Sequence, residues 1–347
     1  MKKPVTFSDI AKYTNFSKTT ISRYFNKPES LTPENQERIR QALVELDYKE
    51  NKVARILARG KTEIVGIIVP NLYLHYFSEM LNQILLTYGD FGYKFLVFVG
   101  DQTPETEKRY LDELMSYQIE GLIIMSHTIP SRELAALPVP IVSIEREDTY
   151  ISSVNSDNYM GGVQATSLLA KRGCDVVFHV NSPTATGIPA YGRIRGFEDF
   201  CREHGLHNEI FIEDMGVQHA TVGPAIEKIF NHIETRYPGQ RKGIFLSDDT
   251  RANEMLNCIV RKYGTFPDSY RLVGFDNSPV AQTAVFPITT VGQQIDVIAR
   301  EAVSMLVKMI EEKKTNPSAE KRPVIHRVVT PVLLKRATTE GVYPQKQ

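Results

Sequence analysis

The chain has 347 residues with 41 lysines and arginines against 41 aspartates and glutamates, a length that suits a small module joined to a large core rather than one small domain. Cys174, Cys201 and Cys258 are too few and too scattered for a disulfide scaffold. No apolar run approaches a membrane span, and none follows Lys2 and Lys3 as a signal peptide would require, so a soluble cytoplasmic protein is expected. The charge is unevenly placed: residues 1–60 hold 12 basic and seven acidic side chains, and the rest holds 29 against 34, the asymmetry of a chain that meets phosphate at one end only.

The first elements lie in TFSDIAKYTNFSKTTISRYFN, from Thr6 to Asn26. Thr6 can cap a first helix with Asp9 completing a capping box, and Ile10 and Ala11 give that helix a buried side. Thr14, Asn15 and Phe16 form a tight turn, and Asn15 tolerates the left-handed backbone such a turn needs. Ser17 caps a second helix whose Ile21 and Phe25 point inward. Lys18, Thr19, Ser22, Arg23 and Asn26 are then left on its open side, where cations and hydrogen-bonding groups suit phosphates and base edges. The order of cap, helix, turn, cap and basic helix is that of a helix–turn–helix. Thr32-Pro33-Glu34 starts a third helix, with Ile39, Leu43 and Leu46 on its buried side.

Asn51 can cap a short helix over 52–58 that stops at Gly60. A helix of this length forms only when something packs against it, and a plain linker is the alternative. Beyond residue 61, short apolar runs at 64–69, 94–99, 121–125, 141–144, 176–180, 243–246 and 271–275 read as buried parallel strands. Amphipathic stretches at 107–117, 158–171, 221–236 and 249–263 read as the helices between them. This is a doubly wound α/β pattern with enough strands for two lobes, and ligands in such sheets sit beyond the strands' carboxyl ends. Glu145, Asp248 and Asp276 stand at those ends, Arg193 precedes a helix, and Gln293 follows a Thr-Thr-Val run. Carboxylates accept hydrogen bonds from vicinal hydroxyls, arginine and amides donate to sugar oxygens, and Tyr76 and Phe77 can cover an apolar sugar face. Each such residue alone is more often a helix cap or a loop solvator than a ligand. Cys201, His204 and His207 invite a metal reading, but they follow a helical pattern without a fourth ligand and a structural role is favoured.

VTFSDIAKYTNFSKTTISRYFN, then Leu31-Thr32-Pro33-Glu34, then ELDYKENKVARILARGKT resemble the head and hinge of the LacI/GalR family of bacterial transcription repressors, and the resemblance runs to about residue 336. It implies a helix–turn–helix head (1–50), a hinge helix and linker (51–61) and a two-lobed, periplasmic-binding-protein-like core (62–340). The first lobe would take about 62–160 and 292–322, and the second about 161–291 and 323–340. It further implies a homodimer on near-palindromic double-stranded operator DNA. Lys18, Thr19 and Arg23 match base-reading positions, and Leu57 matches a wedge that kinks the central base step, with Asn51 and Ala54 beside it. Asn15 replaces the usual turn glycine, and Lys49-Glu50 replaces a common small-residue–proline pair. In the core, Leu74, Tyr76 and Phe77 match the first-lobe wall, and Ser126 a hydroxyl contact after a strand. Arg193, Asp276 and Gln293 match ligand contacts, Asp248 stands where asparagine is usual, and Glu145 where aspartate is common. Within the family the chain looks most similar to repressors of sucrose and related saccharide operons.

No nucleotide-loop, dinucleotide, nucleophile-elbow or zincin motif is present, so neither an enzyme nor a cofactor is indicated. A glycosidase carboxylate pair and an exported sugar-binding protein are the rivals, and neither accounts for the head. Three cleft carboxylates against Arg193 favour a neutral saccharide over a sugar phosphate. Release of DNA by that sugar is expected, with corepression as the alternative. The short tail after Arg336 has no apolar heptads, which favours a dimer over a tetramer.

Overall fold

The structure, a computed structural model, describes residues 5–49, 61–100, 103–146, 149–216, 219–316 and 323–340. The chain divides into two units, residues 1–62 and 63–347. Asn51, Ala54 and Leu57, with the expected hinge helix, lie outside the described residues.

The first unit contains three helices, α1 (Phe7–Thr14), α2 (Lys18–Asn26) and α3 (Pro33–Glu45). The Asp9 carboxylate accepts from the Thr6 backbone N–H at 2.8 Å and from its hydroxyl at 2.6 Å, which fixes the start of α1. The helix stops at Asn15, where φ is 58° and the backbone N–H donates to the Ala11 carbonyl. The Ser17 hydroxyl oxygen accepts from Thr20 N–H at 3.1 Å, and that of Thr32 from Asn35 N–H at 3.3 Å, so α2 and α3 each have an otherwise orphaned N–H satisfied. Ile10, Ala11, Ile21, Ile39 and Ala42 form the buried centre, with Phe7, Phe25, Leu43 and Leu46 packed around it. Leu43 and Leu46 are half-buried, and Ala42 takes a place in the centre.

The second unit is built on two six-stranded sheets. Its strands are β1 (Ile64–Val69), β2 (Lys94–Val99), β3 (Gly121–Ile124), β4 (Ile141–Ile144), β5 (Ser152–Ser156), β6 (Val176–Asn181), β7 (Asn208–Ile212), β8 (Lys242–Leu246), β9 (Tyr270–Phe275), β10 (Thr289–Gly292), β11 (His326–Val329) and β12 (Val332–Leu334). The first sheet runs β11-β5-β4-β3-β1-β2 and the second β12-β10-β9-β8-β6-β7. All pairings are parallel except that of β12 with β10. Apolar clusters cover both faces of each sheet, which is why the strands are rich in apolar residues rather than alternating.

The chain passes between the sheets three times: after β5, after β10 and between β11 and β12. The third crossing corrects an expectation. Residues 323–329 were assigned to the second lobe, but β11 pairs in parallel with β5 of the first, His326 opposite Ser153. The segment is fastened there by Ile325 N–H donating to the Ser152 hydroxyl at 3.1 Å and by His326 Nδ1 lying 2.8 Å from the Ser153 hydroxyl. Pro331, which has no N–H to offer a ladder, stands where the strand direction breaks.

The helices Asn158–Lys171 and Gly192–His204 approach almost backbone to backbone. A Cβ at Gly196 would lie 2.2 Å from the Tyr159 carbonyl oxygen, and one at Gly162 would lie 2.5 Å from that of Arg193. Only glycine fits either place. Cys201 is buried in this half of the core, His204 stacks on Phe200 at 3.9 Å between centroids and His207 meets Tyr237 edge-on. No group of His, Cys, Asp or Glu side chains among the described residues is placed to hold a metal. No helix among them is long and apolar enough to cross a membrane.

Candidate functional site

Two surfaces carry chemistry. On α2, Lys18, Thr19, Arg23 and Asn26 are exposed and Ser22 is half-buried, with the Asn26 amide donating to the Ser22 hydroxyl at 3.1 Å. They share one face because positions i, i+1, i+4, i+5 and i+8 of a helix align. Ile21 on the opposite side is fully buried. Thr6 is exposed at the start of α1 and its hydroxyl is engaged by Asp9.

In the second unit a cleft of about 830 Å³ opens beyond the carboxyl ends of the strands, between the two sheets. Leu74, Tyr76, Phe77 and Glu145 border it from the first lobe, and Arg193, Asp248 and Asp276 from the second. Glu145 directly follows β4 and Asp276 directly follows β9, and both have left-handed backbones, φ 56° and 103°. Such conformations are uncommon for residues with a side chain and persist where the surroundings enforce them. Around Asp276, its N–H donates to the Val291 carbonyl at 2.9 Å, and the Gln293 amide donates to its Oδ1 at 2.7 Å. Arg336 reaches the Asn277 side chain at 2.6 Å. Around Glu145, Ser156 N–H donates to Oε1 at 2.5 Å and the Asn158 amide to Oε2 at 2.7 Å.

Arg193 donates through Nε to Asn158 Oδ1 at 2.8 Å and through a terminal nitrogen to the Ser247 carbonyl at 2.6 Å. Its guanidinium lies 3.7 Å from the centroid of the Phe275 ring. Two of its donors and its π face are thus fixed by the protein, and the remaining donors border the cleft. Asp248 caps the helix Asp249–Tyr263, accepting from Arg251 N–H at 2.9 Å, and pairs with the Arg251 side chain.

Two expected contacts are corrected. Ser126 does not border the cleft: it is fully buried, its hydroxyl donating to Glu107 at 2.5 Å and accepting from Thr128 N–H at 3.1 Å. Thr128 and His127 line the wall in its place, because the chain turns after β3 and carries the next side chains forward. Gln293 also stands behind the cleft, holding Asp276 and accepting from the Ser156 hydroxyl at 2.5 Å. Sequence reasoning missed Asn158, which reads as an ordinary helix-start residue, and Arg251, three residues after Asp248.

Burial dominates the electrostatics. It raises the Asp276 pKa to about 7, with Arg193 opposing and Asp248 adding to the rise. Burial likewise raises Glu145, against the Ser156 N–H, Arg193 and the Asn158 amide. His127 is lowered to about 4 by burial and then by Arg146, so it is neutral at pH 7. Burial and then Glu145 push the Tyr76 phenol well above its usual value, and its hydroxyl has no hydrogen-bond partner among the described residues.

Behind the second-lobe wall, His179 is completely buried, 3.1 Å from the Phe245 carbonyl oxygen through Nδ1 and stacked on the Phe245 ring. Burial lowers its pKa to about 3. The unfolded chain therefore takes up a proton near pH 6.5 that the folded chain refuses, and this residue's contribution to stability is whole above pH 6.5 and falls as the pH drops below it. Asp276 titrates with the opposite sign, so the comparison must be made between proteins that share it. Denaturant unfolding of wild type and His179→Met is expected to show the variant gaining about 2 kcal/mol relative to wild type between pH 7 and pH 5. A constant difference would show that His179 takes up its proton in the fold as readily as in the unfolded chain.

Residues 6–51 match the family described as bacterial regulatory proteins, lacI family, and residues 166–339 match the periplasmic binding protein-like domain. The sucrose operon repressor of Pediococcus pentosaceus is 30% identical over 307 residues, covering 88% of this chain and 92% of that one. The chain belongs to the LacI family. A second member, the ribose operon repressor of Halalkalibacterium halodurans (strain C-125), is 28% identical and covers 97% of both chains. The Lac repressor dimer bound to operator and the anti-inducer ONPF has the same fold, with a TM-score of 0.80 at 20% identity over 97% of this chain and 99% of that one. LacI-family membership makes the chain a DNA-binding transcription regulator rather than an enzyme.

Proposed function

We propose that this protein is a cytoplasmic repressor of a carbohydrate-utilisation operon, released from a near-palindromic operator when a neutral saccharide, sucrose or a related sugar, enters the cleft. Two heads of a homodimer would each lay α2 in a major groove, with Lys18, Thr19 and Arg23 at base edges and Ser22, Asn26 and Thr6 nearby. Asn51, Ala54 and Leu57 would meet the minor groove between them. Leu74, Tyr76, Phe77, Glu145, Arg193, Asp248 and Asp276 would hold the sugar.

The observation that carries the reading is the set of hydrogen-bonding side chains that line the cleft. Arg251 is a second cation beyond Arg193, but it is paired with Asp248. Arg193 is already tied to Asn158 and Ser247, and His127 is neutral at pH 7. A phosphate would meet the carboxyl groups of Glu145, Asp248 and Asp276 against Arg193 and the Asp248-paired Arg251, whereas neutral hydroxyls can donate to those carboxyl groups and accept from the free donors of Arg193. The names of the relatives, a sucrose and a ribose operon repressor, support the same ligand class. Calorimetry against mono- and disaccharides and their phosphates tests it. Tighter binding of a phosphorylated sugar than of its neutral parent would overturn the ligand class, and stronger operator binding with sugar present would mean corepression.

A further inference from the structure

The Asn158 carboxamide joins a charged cleft residue of one lobe to one of the other. Asn158 is the first residue of its helix after the first crossover and is 2% exposed. Its Nδ2 donates to Glu145 Oε2 at 2.7 Å and to the Ser156 carbonyl at 3.1 Å, and its Oδ1 accepts from Arg193 Nε at 2.8 Å. A guanidinium can only donate and an ionised carboxylate can only accept, so a neutral group bridging them must carry one acceptor and one donor a few ångströms apart. An amide does this. A carboxylate in its place loses the donor, and an aliphatic side chain loses both.

We propose that Asn158 is a positioning residue that ties the second-lobe Arg193 to the first-lobe Glu145, so that a sugar engaging either group turns the lobes together. This rests on the saccharide reading of the cleft. Asn158 and Arg193 move as one body, because their helices meet at Gly162 and Gly196 with no space for a Cβ between them. Glu145 is held on the other side by Ser156 N–H at the end of β5. What can change when the crossover flexes is the Asn158–Glu145 bond. The charged and titratable groups around Glu145 are Arg193, Asp276 and the Tyr76 phenol, and all three face the cleft. Gln293 repeats the arrangement at the second crossover, donating to Asp276 and accepting from Ser156. It touches one cleft charge where Asn158 touches two.

The test uses the full chain and two variants, Asn158→Leu and Asn158→Asp. Hydrogen exchange without sugar should show the Glu145 turn and the first turn of Gly192–His204 exchanging about tenfold faster in Asn158→Leu, the effect of losing a hydrogen bond to a charged group. The buried stretch around Ile226–Ile233 should not change. Asn158→Asp should keep the protection beside Arg193, whose acceptor it retains, and lose that of the Glu145 turn. Unchanged exchange at both places, or equal loss at both in the two variants, overturns the proposal. With sucrose as probe, Asn158→Leu should bind more weakly than wild type and, at saturation, leave operator affinity unaltered, and a response equal to wild type also overturns it. If wild type itself ignores sucrose, the sugar assignment fails and the exchange measurement still decides the role of Asn158.

Discussion

Arg193→Met is expected to weaken saccharide binding by about 100-fold, while operator affinity measured without sugar stays within about twofold of wild type. Methionine keeps most of the bulk over the Phe275 ring, so the change removes charge and donors more than packing. It also leaves Asn158 Oδ1 and the Ser247 carbonyl without the guanidinium they accept from. Two charge-assisted hydrogen bonds to a ligand, each at the low end of about 1.5–3 kcal/mol, account for a loss of this size. The variant should repress constitutively, since the head is untouched. Titration calorimetry with the sugar and fluorescence anisotropy with operator check the two halves separately. A parallel loss of both affinities would mean that Arg193 supports the fold rather than the ligand.

The complementary result is expected from Ile21→Ala. Ile21 is fully buried at the centre of the head, against Ile10, Ile39 and Ala42. Removing its outer carbons should cost about 2–5 kcal/mol, comparable with the whole stability of so small a module. The head should be largely unfolded, and specific operator affinity should fall by more than about 100-fold. Sugar affinity should not move, because the cleft lies wholly in the second unit. Circular dichroism during thermal unfolding should lose a head transition and keep that of the core. Retention of operator binding would show that the three-helix core tolerates the cavity.

The apolar strands were legible because strands covered on both faces must be apolar: β1, β2 and β4 have the bounds that the pattern predicts. β5, Ser-Ser-Val-Asn-Ser, was not. It is buried throughout although four of its five residues are polar, because the Ser152 hydroxyl, the Ser153 hydroxyl and the Asn155 carboxamide oxygen find partners in Ile325, His326 and Arg146. Ile325 and His326 lie 173 residues from the serines they meet and Arg146 lies outside the strand, so no pattern within β5 announces them. β10, β11 and β12 have four, four and three residues, too few to show a pattern of their own. At the site, Glu145, Arg193, Asp248 and Asp276 were readable from their places at strand and helix ends. Ser126 and Gln293 show the limit: position after a strand brings a residue to the cleft edge, but the turn that follows decides whether its side chain faces the cleft or supports one that does. Asn158 was invisible as a contact, since a polar residue at a helix start looks like part of a cap.

The decisive measurement is operator affinity of the full chain by anisotropy at fixed salt, with and without a saturating amount of the tightest-binding neutral saccharide. A released repressor requires the operator dissociation constant to rise about 5–150-fold with sugar, and the sugar's dissociation constant to rise by the same factor when operator is bound, because the coupling is reciprocal. Operator affinity that is unchanged or tightened by the sugar would contradict the proposed mechanism.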